Sequence, residues 1–497
     1  MTLADQLIDI LNSLGGFGPE IWLSAAFCGL LLVELLLRSV PDRARRWVAV
    51  LSIVAVGVAG VWAVLLPTRG FLFMHLLFVD RQAIFFQVVV ALGAVFVIWY
   101  EILTLPKRLP IEWYSLLVAM TLGLFLMTLS VNLLSIYLSI ELVSICSYLL
   151  TALTADRKAS EGGIKYLLFG SVSSAVMLYG MSLLYGMTGT FDLTADVFGA
   201  ELARQDGTVA AVAVLLTLAG LLFKLAAVPF HVWTPDAYEA APVPVAAFFS
   251  VGPKAAGVLV LMRLVTALPM QTASAGATMA SLQKPLAVLA LAGILIGNLS
   301  ALRQTDAKRL LAYSTIAHAG FLLVGVVALN QAGFEAVLFY AGTYLFISLA
   351  AFFLVDLLAR SNGSDLTIRH FAGLGPKHPL LSVALTVVML ALTGLPPTVG
   401  FTAKLLSFSA LFEAYQQSGE GWLLVLFALG LLNALISLVY YLKIPFLLFF
   451  RSGPAQPDSA QPAQVSGGAV WLAIGLTIPI IGLFIKPDWL LELVTGW

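Results

Sequence analysis

Apolar runs close to twenty residues long, separated by short polar punctuation, dominate the chain. A helix needs about 20 such residues to cross the hydrocarbon core of a bilayer. The pattern predicts about fourteen spans, at 19–38, 46–66, 81–104, 112–130, 133–154, 161–187, 208–230, 241–266, 284–303, 308–329, 332–359, 380–412, 420–450 and 467–485. The segment GFLFMHLLFVDR, 70–81, is apolar but too short to span. It is expected to lie along the outer interface or to pack as a short helix. The stretch from Arg451 to Gly468, rich in Pro, Gln, Ser and Gly, reads as a flexible linker before the last span, and 191–207 reads as a variable loop. The predicted fold is therefore all-α and polytopic.

The loops orient these spans. The odd-numbered loops carry Arg38, Arg43, Arg45, Arg46, Lys107, Arg108, Arg157, Lys158, Arg303, Lys308, Arg309, Arg360, Arg369, Lys377 and Arg451. The even-numbered loops and the C-terminus carry Arg69, Arg81, Arg204, Lys284 and Lys486. Fifteen basic residues against five put the odd loops in the cytoplasm by the positive-inside rule, and both termini on the other side. In a bacterium that membrane is the inner, plasma membrane. The N-terminal sequence lacks a basic n-region and a small-residue cleavage site and reads as mature.

Composition agrees with the pattern. The chain is 61% hydrophobic and only 10% charged, where a soluble domain carries about 25% charged residues. Its 26 basic and 26 acidic residues balance, which argues against a nucleic-acid partner. The two cysteines, Cys28 and Cys146, lie in apolar segments; they read as packing residues and are too few to ligate an iron–sulfur cluster. No P-loop and no Gly-rich dinucleotide fingerprint occurs. No metal site is expected, and no redox or nucleotide chemistry of the chain's own.

The sharpest signal is charge where a membrane protein holds it least easily. A charged side chain at the centre of a span costs about 2.5–3.5 kcal/mol on translocon scales and commonly marks an ion or proton path. Glu141, Lys165, Lys224, Lys254 and Lys404 all lie inside or at the lip of predicted spans. The seventh span reads GLLFKLAAVPFHVWTPDAYEAAPVP, with Pro229 just after Lys224; the twelfth reads LTGLPPTVGFTAKLLSF, with Gly394, Pro396, Pro397 and Gly400 just before Lys404. Two spans 180 residues apart thus each join a helix breaker to one lysine. Paired discontinuous helices point to an internal repeat with its working site at membrane depth. An offset of five spans would make the two units inverted in topology.

Glu141, centred in the fifth span, is expected to partner Lys224. A contact pair at 4 Å is worth about 4 kcal/mol at an effective dielectric of 20, about three pKa units. Moving the glutamate would then switch the lysine between holding and releasing a proton. Lys254, which follows Pro253, and Lys404 read as relay groups; Lys165, nearer the cytoplasmic end, can snorkel. His318 and His231 are possible helpers, since histidine titrates near neutrality. Asp236, Tyr238 and Glu239 fall in the loop after the seventh span and read as structural. Glu34, Arg263 and Lys443 lie near span ends, where snorkelling suffices. The sequon at Asn298 lies within a span and is discounted.

Taken together, Glu141 in its span, Lys224 before VPFHVWTPDAYEAAPVPV, SVGPKAA around Lys254, RLLAYSTIAHAG around His318 and GLPPTVGFTAK ending at Lys404 resemble the antiporter-like membrane subunits of respiratory complex I, NADH:quinone oxidoreductase. The resemblance covers nearly the whole chain and is strongest from about 110 to 450. Among the L, M and N branches it is closest to N: tyrosine stands at 238 where the others usually have histidine, Lys404 where M usually has glutamate, and no long lateral helix follows the last span. The likeness implies helices 1–3 in 1–110, an antiporter-like repeat in 111–266, its inverted copy in 267–451, and a linker with helix 14 in 452–497. It implies Glu141, Lys224, Lys254 and Lys404 as proton-transfer residues, helped by Lys165, His318 and His231. It implies that NAD, FMN, iron–sulfur clusters and quinone belong to partner subunits, this chain holding no cofactor and its contacts being other membrane subunits and lipid. A subunit of a multisubunit sodium/proton antiporter and a scaffold that has lost pumping stand as alternatives. The full set of buried charges argues against the scaffold.

Overall fold

A computed structural model describes residues 3–36, 41–104, 109–268, 275–363, 365–452 and 465–495. Arg38, Lys107, Arg108 and the side chain of Arg43, counted above for orientation, lie outside the described residues, as does most of the stretch from Arg451 to Gly468. In chain order the helices are α1 (Leu3–Gly16), α2 (Gly18–Leu36), α3 (Pro41–Leu65), α4 (Arg81–Leu103), α5 (Glu112–Leu129), α6 (Leu133–Ala152), α7 (Arg157–Thr188), α8 (Asp196–Ala203), α9 (Gly207–Leu225) and α10 (Trp233–Ala240). They continue with α11 (Val243–Thr266), α12 (Ala275–Leu302), α13 (Ala307–Val327), α14 (Gln331–Ser361), α15 (Pro379–Thr393), α16 (Val399–Ser418), α17 (Gly421–Phe450), α18 (Gly467–Gly475), α19 (Ile478–Ile485) and α20 (Asp488–Val494). Among the described residues, thirteen helical segments are long and apolar enough to cross a membrane, α18 and α19 together counting as one. The pair α15–α16 occupies the remaining expected span, the twelfth.

Helix starts follow capping chemistry. Asp80, Asn132, Asp156, Asp206, Asp306 and Asn330 each accept a hydrogen bond from a first-turn amide of the helix they precede, satisfying a donor that has no intrahelical partner. In the centre, α11 is buried along its length and α13 and α14 nearly so. The faces of α2, α3, α7 and α17 that leave large apolar side chains exposed suit hydrocarbon rather than water.

Three short elements differ from expectation. Residues 70–79 form a β-hairpin, Gly70–Leu72 (β1) against Leu77–Val79 (β2), with Phe71 opposite Phe78. Its tip, where Phe73, Met74 and His75 take positive φ, is held by α1: Ser13 Oγ accepts from the Phe73 amide and Asp9 from the Met74 amide. Strands of three residues are too short for an alternating pattern to declare itself. The loop at 191–207 contains α8, and the loop after the seventh span contains α10. Both helices are eight residues long, below the length at which periodicity is readable. Pro253 does not break its helix: α11 runs through it.

Candidate proton-transfer site

The seventh span ends at Leu225 because Ala226 turns left-handed, at φ +56°; the chain then crosses 227–232 without helix and resumes as α10. Lys224 is therefore in the last turn of α9. The carbonyls there are already taken: those of Leu222 and Phe223 accept from the Ala226 and Ala227 amides, and Phe223 also accepts from the Trp233 indole at 3.1 Å. The Lys224 ammonium is buried and has no hydrogen-bond partner among the described residues. It lies 5.9 and 5.8 Å from the ring centroids of Tyr148 and Tyr166, within cation–π range. Glu141 does not touch it. One Glu141 carboxylate oxygen is likewise buried without a partner, and no contact ion pair joins the two. The expected pair at 4 Å is thus not formed; the tyrosine rings take up the ammonium instead, and Glu141 acts on it only through space.

The twelfth span breaks differently. α15 ends at Gly394, whose φ of +85° is costly for any other residue, and the chain re-enters helix at Val399. Lys404, in the second turn of α16, donates to the carbonyls of Leu392 and Thr393 at 3.1 and 2.7 Å. Those carbonyls end α15, so the ammonium sits at a helix C-terminus, where the dipole favours a cation. It also lies 4.5 Å from the Phe321 ring. Gly400 makes the approach possible, because a Cβ there would meet the Ala391 carbonyl oxygen at 1.9 Å.

Between the two breaks, Lys254 on α11 is buried and donates to the Thr315 carbonyl of α13. Three residues on, His318 bonds the Tyr340 hydroxyl through Nδ1 at 2.6 Å and the Tyr441 hydroxyl through Nε2 at 3.2 Å. Tyr441 also bonds Ser314, Thr315 Oγ1 bonds the Tyr344 hydroxyl at 3.2 Å, and Ser250 bonds Ser348 at 2.6 Å. α13 thus carries a polar seam that begins at Lys254 and reaches, through the His318 turn, the Phe321 ring that faces Lys404. Its hydroxyls and imidazole are each both donor and acceptor, but they fall into separate bonded groups: Lys254 ends on a backbone carbonyl, which only accepts, and His318 joins Tyr340 and Tyr441. The tyrosines were missed in the sequence. They carry no formal charge, yet a buried tyrosine hydroxyl normally finds a partner, and tyrosine in mid-span was the available signal.

Lys165 and His231 stand apart from this seam. Lys165 is 42% exposed and pairs with Glu161 and Asp236 at 2.8 and 2.9 Å. Asp236 pairs also with Arg309 of α13, and Glu239 with Arg309 and Lys158, at 2.6–2.9 Å. Lys308 donates to the Glu239 and Ala241 carbonyls. These contacts hold α10 between α7 and α13 on the face of the odd-numbered loops. Burial opposes ionisation of Asp236 and Glu239, but hydrogen bonds from Lys165, Lys158 and Arg309 outweigh it and keep both carboxyls below their ordinary range. His231 lies half-buried in the break.

Residues 130–449 match the family model described as NADH:quinone oxidoreductase/Mrp antiporter, TM. The chain is 40% identical to NADH-quinone oxidoreductase subunit N 2 of Sorangium cellulosum, over 97% of each chain. It is 38% identical to the subunit of that name from Chloroherpeton thalassium, over 97% of this chain and 95% of the other. Among solved structures it resembles a chain of respiratory complex I from Thermus thermophilus with bound aureothin, at TM-score 0.78 and 29% identity, over 96% of this chain and all of that one. A chain of the Mrp complex from Dietzia sp. shares the fold at TM-score 0.80 but only 20% identity, over 97% and 96% of the two chains. A multi-pass membrane protein of this sequence and architecture belongs to the antiporter-like membrane subunits of NADH:quinone oxidoreductase, on their subunit N branch.

Proposed function

We propose that this chain is a proton-translocating membrane subunit of NADH:quinone oxidoreductase, moving protons along Glu141, Lys224, Lys254, His318 and Lys404. The observation that carries the reading is the polar seam from Lys254 through Thr315 and His318 toward Lys404, flanked by two helix breaks that each hold one buried lysine. A scaffold would gain nothing from three buried ammonium groups that each raise the cost of burial. In this reading the two units, 111–266 and 267–451, are inverted copies. NAD, FMN, iron–sulfur clusters and quinone belong to partner subunits, and the proton work is driven from there. The odd loops face the cytoplasm of a bacterium and both termini face away from it. Lys165 and His231 serve at the entrance rather than in the relay.

In membrane vesicles containing the assembled complex, Lys224→Met is expected to abolish this subunit's share of proton movement while NADH oxidation continues at a reduced rate. Intact proton movement per NADH would sink the proposal. The shared fold with the Mrp chain keeps a sodium/proton antiporter subunit as the second reading. Copurification separates them: flavin- and iron–sulfur-containing partners belong to the first reading, small membrane subunits alone to the second.

A further inference from the structure

The polar seam has a gap. Lys224 lies among the rings of Tyr148 and Tyr166, whereas the bonded hydroxyls begin at Lys254, Thr315 and Tyr344. The space between is lined by aromatic side chains: Trp233 stacks on Tyr166 at 4.0 Å, and Phe249 lies 6.1 Å from Tyr166. Two side chains of α10 there are polar, fully buried and unpaired among the described residues. Tyr238, on α10, is 0% exposed, its hydroxyl has no hydrogen-bond partner among the described residues, and its ring packs 6.1, 6.4 and 6.2 Å from Trp233, Phe249 and Phe352. Its hydroxyl is near enough to those of Tyr344 and Tyr166 for each to act on it through space. Thr234, one turn earlier on the same helix, is also fully buried with an unpaired hydroxyl.

Two unpaired hydroxyls on one face of a single two-turn helix are unusual, because each buried and unbonded hydroxyl costs about 1–3 kcal/mol. Packing alone would favour phenylalanine and valine at these positions. The outer face of α10 meanwhile carries Asp236 and Glu239, which fix the helix to α7 and α13. The helix is thus held from outside while it offers hydroxyls inward. We infer that Tyr238 is a relay residue that joins the Lys224 compartment to the Lys254 compartment, with Thr234 beside it.

The step balances without charging the ring. The Lys224 ammonium gives a proton, through water, to the Tyr238 oxygen. As that O–H bond forms, the original phenolic O–H breaks, and its proton passes through water to the neutral Lys254 amine. Tyr238 ends as it began, Lys224 ends neutral and Lys254 ends as the ammonium. α10 follows the break after Lys224 and is held there by its pairs to α7 and α13, so Tyr238 keeps its place between the two lysines' surroundings.

The inference rests on the proposed proton-translocating function, and the test separates the two. In the assembled complex in sealed vesicles, Tyr238→Phe removes one oxygen that has no protein partner, so the fold is expected to be unaffected. This subunit's share of the protons moved per NADH oxidised, taken as the part that Lys224→Met removes, is expected to fall about twofold or more, a coupling change of the size that single positions along such networks produce. Tyr238→His, which returns a donor and an acceptor at the same place, is expected to restore the ratio at least in part. An unchanged ratio in Tyr238→Phe overturns the inference, and so does an equal loss in the Phe and His variants, which would make packing the cause. Lys224→Met is run beside them. If it leaves proton movement intact, the underlying function fails; if it abolishes movement while Tyr238→Phe changes nothing, only the bridge fails.

Discussion

The two broken spans combine the same ingredients in opposite order, and their lysines end in opposite circumstances. At the break after α9 the terminal carbonyls are consumed by local amides and by the Trp233 indole, and the Lys224 ammonium rests on aromatic rings alone. At the break after α15 the terminal carbonyls of Leu392 and Thr393 are left for Lys404. Lys404 is therefore anchored in a helix dipole, whereas Lys224 is loosely held and exposed to the field of Glu141. A break supplies free carbonyls only if nothing nearer claims them. The first break is also tied to the other half of the molecule, since the half-helix that follows it is clamped by Lys308 and Arg309 of α13.

Removing each lysine is the strongest way to test that contrast. Lys404→Met is expected to abolish this subunit's share of proton movement as Lys224→Met does, but also to destabilise the subunit by about 1–3 kcal/mol, because two buried carbonyls lose their donor. Lys224→Met is expected to leave stability unchanged or raised, since it removes a buried ammonium that lacks a protein acceptor. Thermal unfolding of the purified complex distinguishes them, and equal shifts would erase the contrast.

A smaller pair of variants addresses the breaks themselves. Gly394→Ala places a Cβ 2.7 Å from Lys404 Cδ at a φ of +85° and is expected to cost about 1–2 kcal/mol. Ala226→Gly relieves a left-handed alanine and is expected to be neutral or to stabilise by up to about 1 kcal/mol. Shifts of the same sign in the unfolding temperature would contradict the geometry described.

The smallest effect concerns acid. The folded-state carboxyls of Asp236 and Glu239 are held below their ordinary range. Their pairs therefore contribute stability above that range and lose it as the pH falls from the ordinary carboxylate range through the lower folded values. Lys158, Lys165, Lys308, Arg309, Glu161 and Asp306 are the charges that face them. Protection of the α10 amides, corrected for the intrinsic exchange rate at each pH, is expected to fall on acidification, and Asp236→Asn to flatten that response. No matching acid response is expected at α16, whose lysine binds carbonyls. An acid response there equal to that of α10 would remove the difference.

Much of this was legible in the sequence because its signals are expensive or periodic. Buried lysines stand out against apolar runs, and Pro229, Gly394 and Pro397 announce interruptions that the backbone obeys at 226–232 and 394–398. Pro253, equally conspicuous, does not end its helix, and α11 is buried along its length. Direct pairing of Glu141 with Lys224 followed from counting charges alone; the rings of Tyr148 and Tyr166 were not in that count. The role of α10 was hidden for a related reason. Asp236, Tyr238 and Glu239 looked like ordinary loop residues until folding turned two of them toward α7 and α13 and the third inward.

The bond between Lys254 and the Thr315 carbonyl also sets a schedule for making the protein. Its partners are separated by 61 residues, about 3–12 s of synthesis at ordinary translation rates. During that interval α11 must enter the membrane with its lysine's eventual acceptor not yet made. Until α13 arrives that bond cannot form, and the amine must be solvated or neutral instead. A chain stopped between the two helices would therefore hold Lys254 without the acceptor it has in the folded protein.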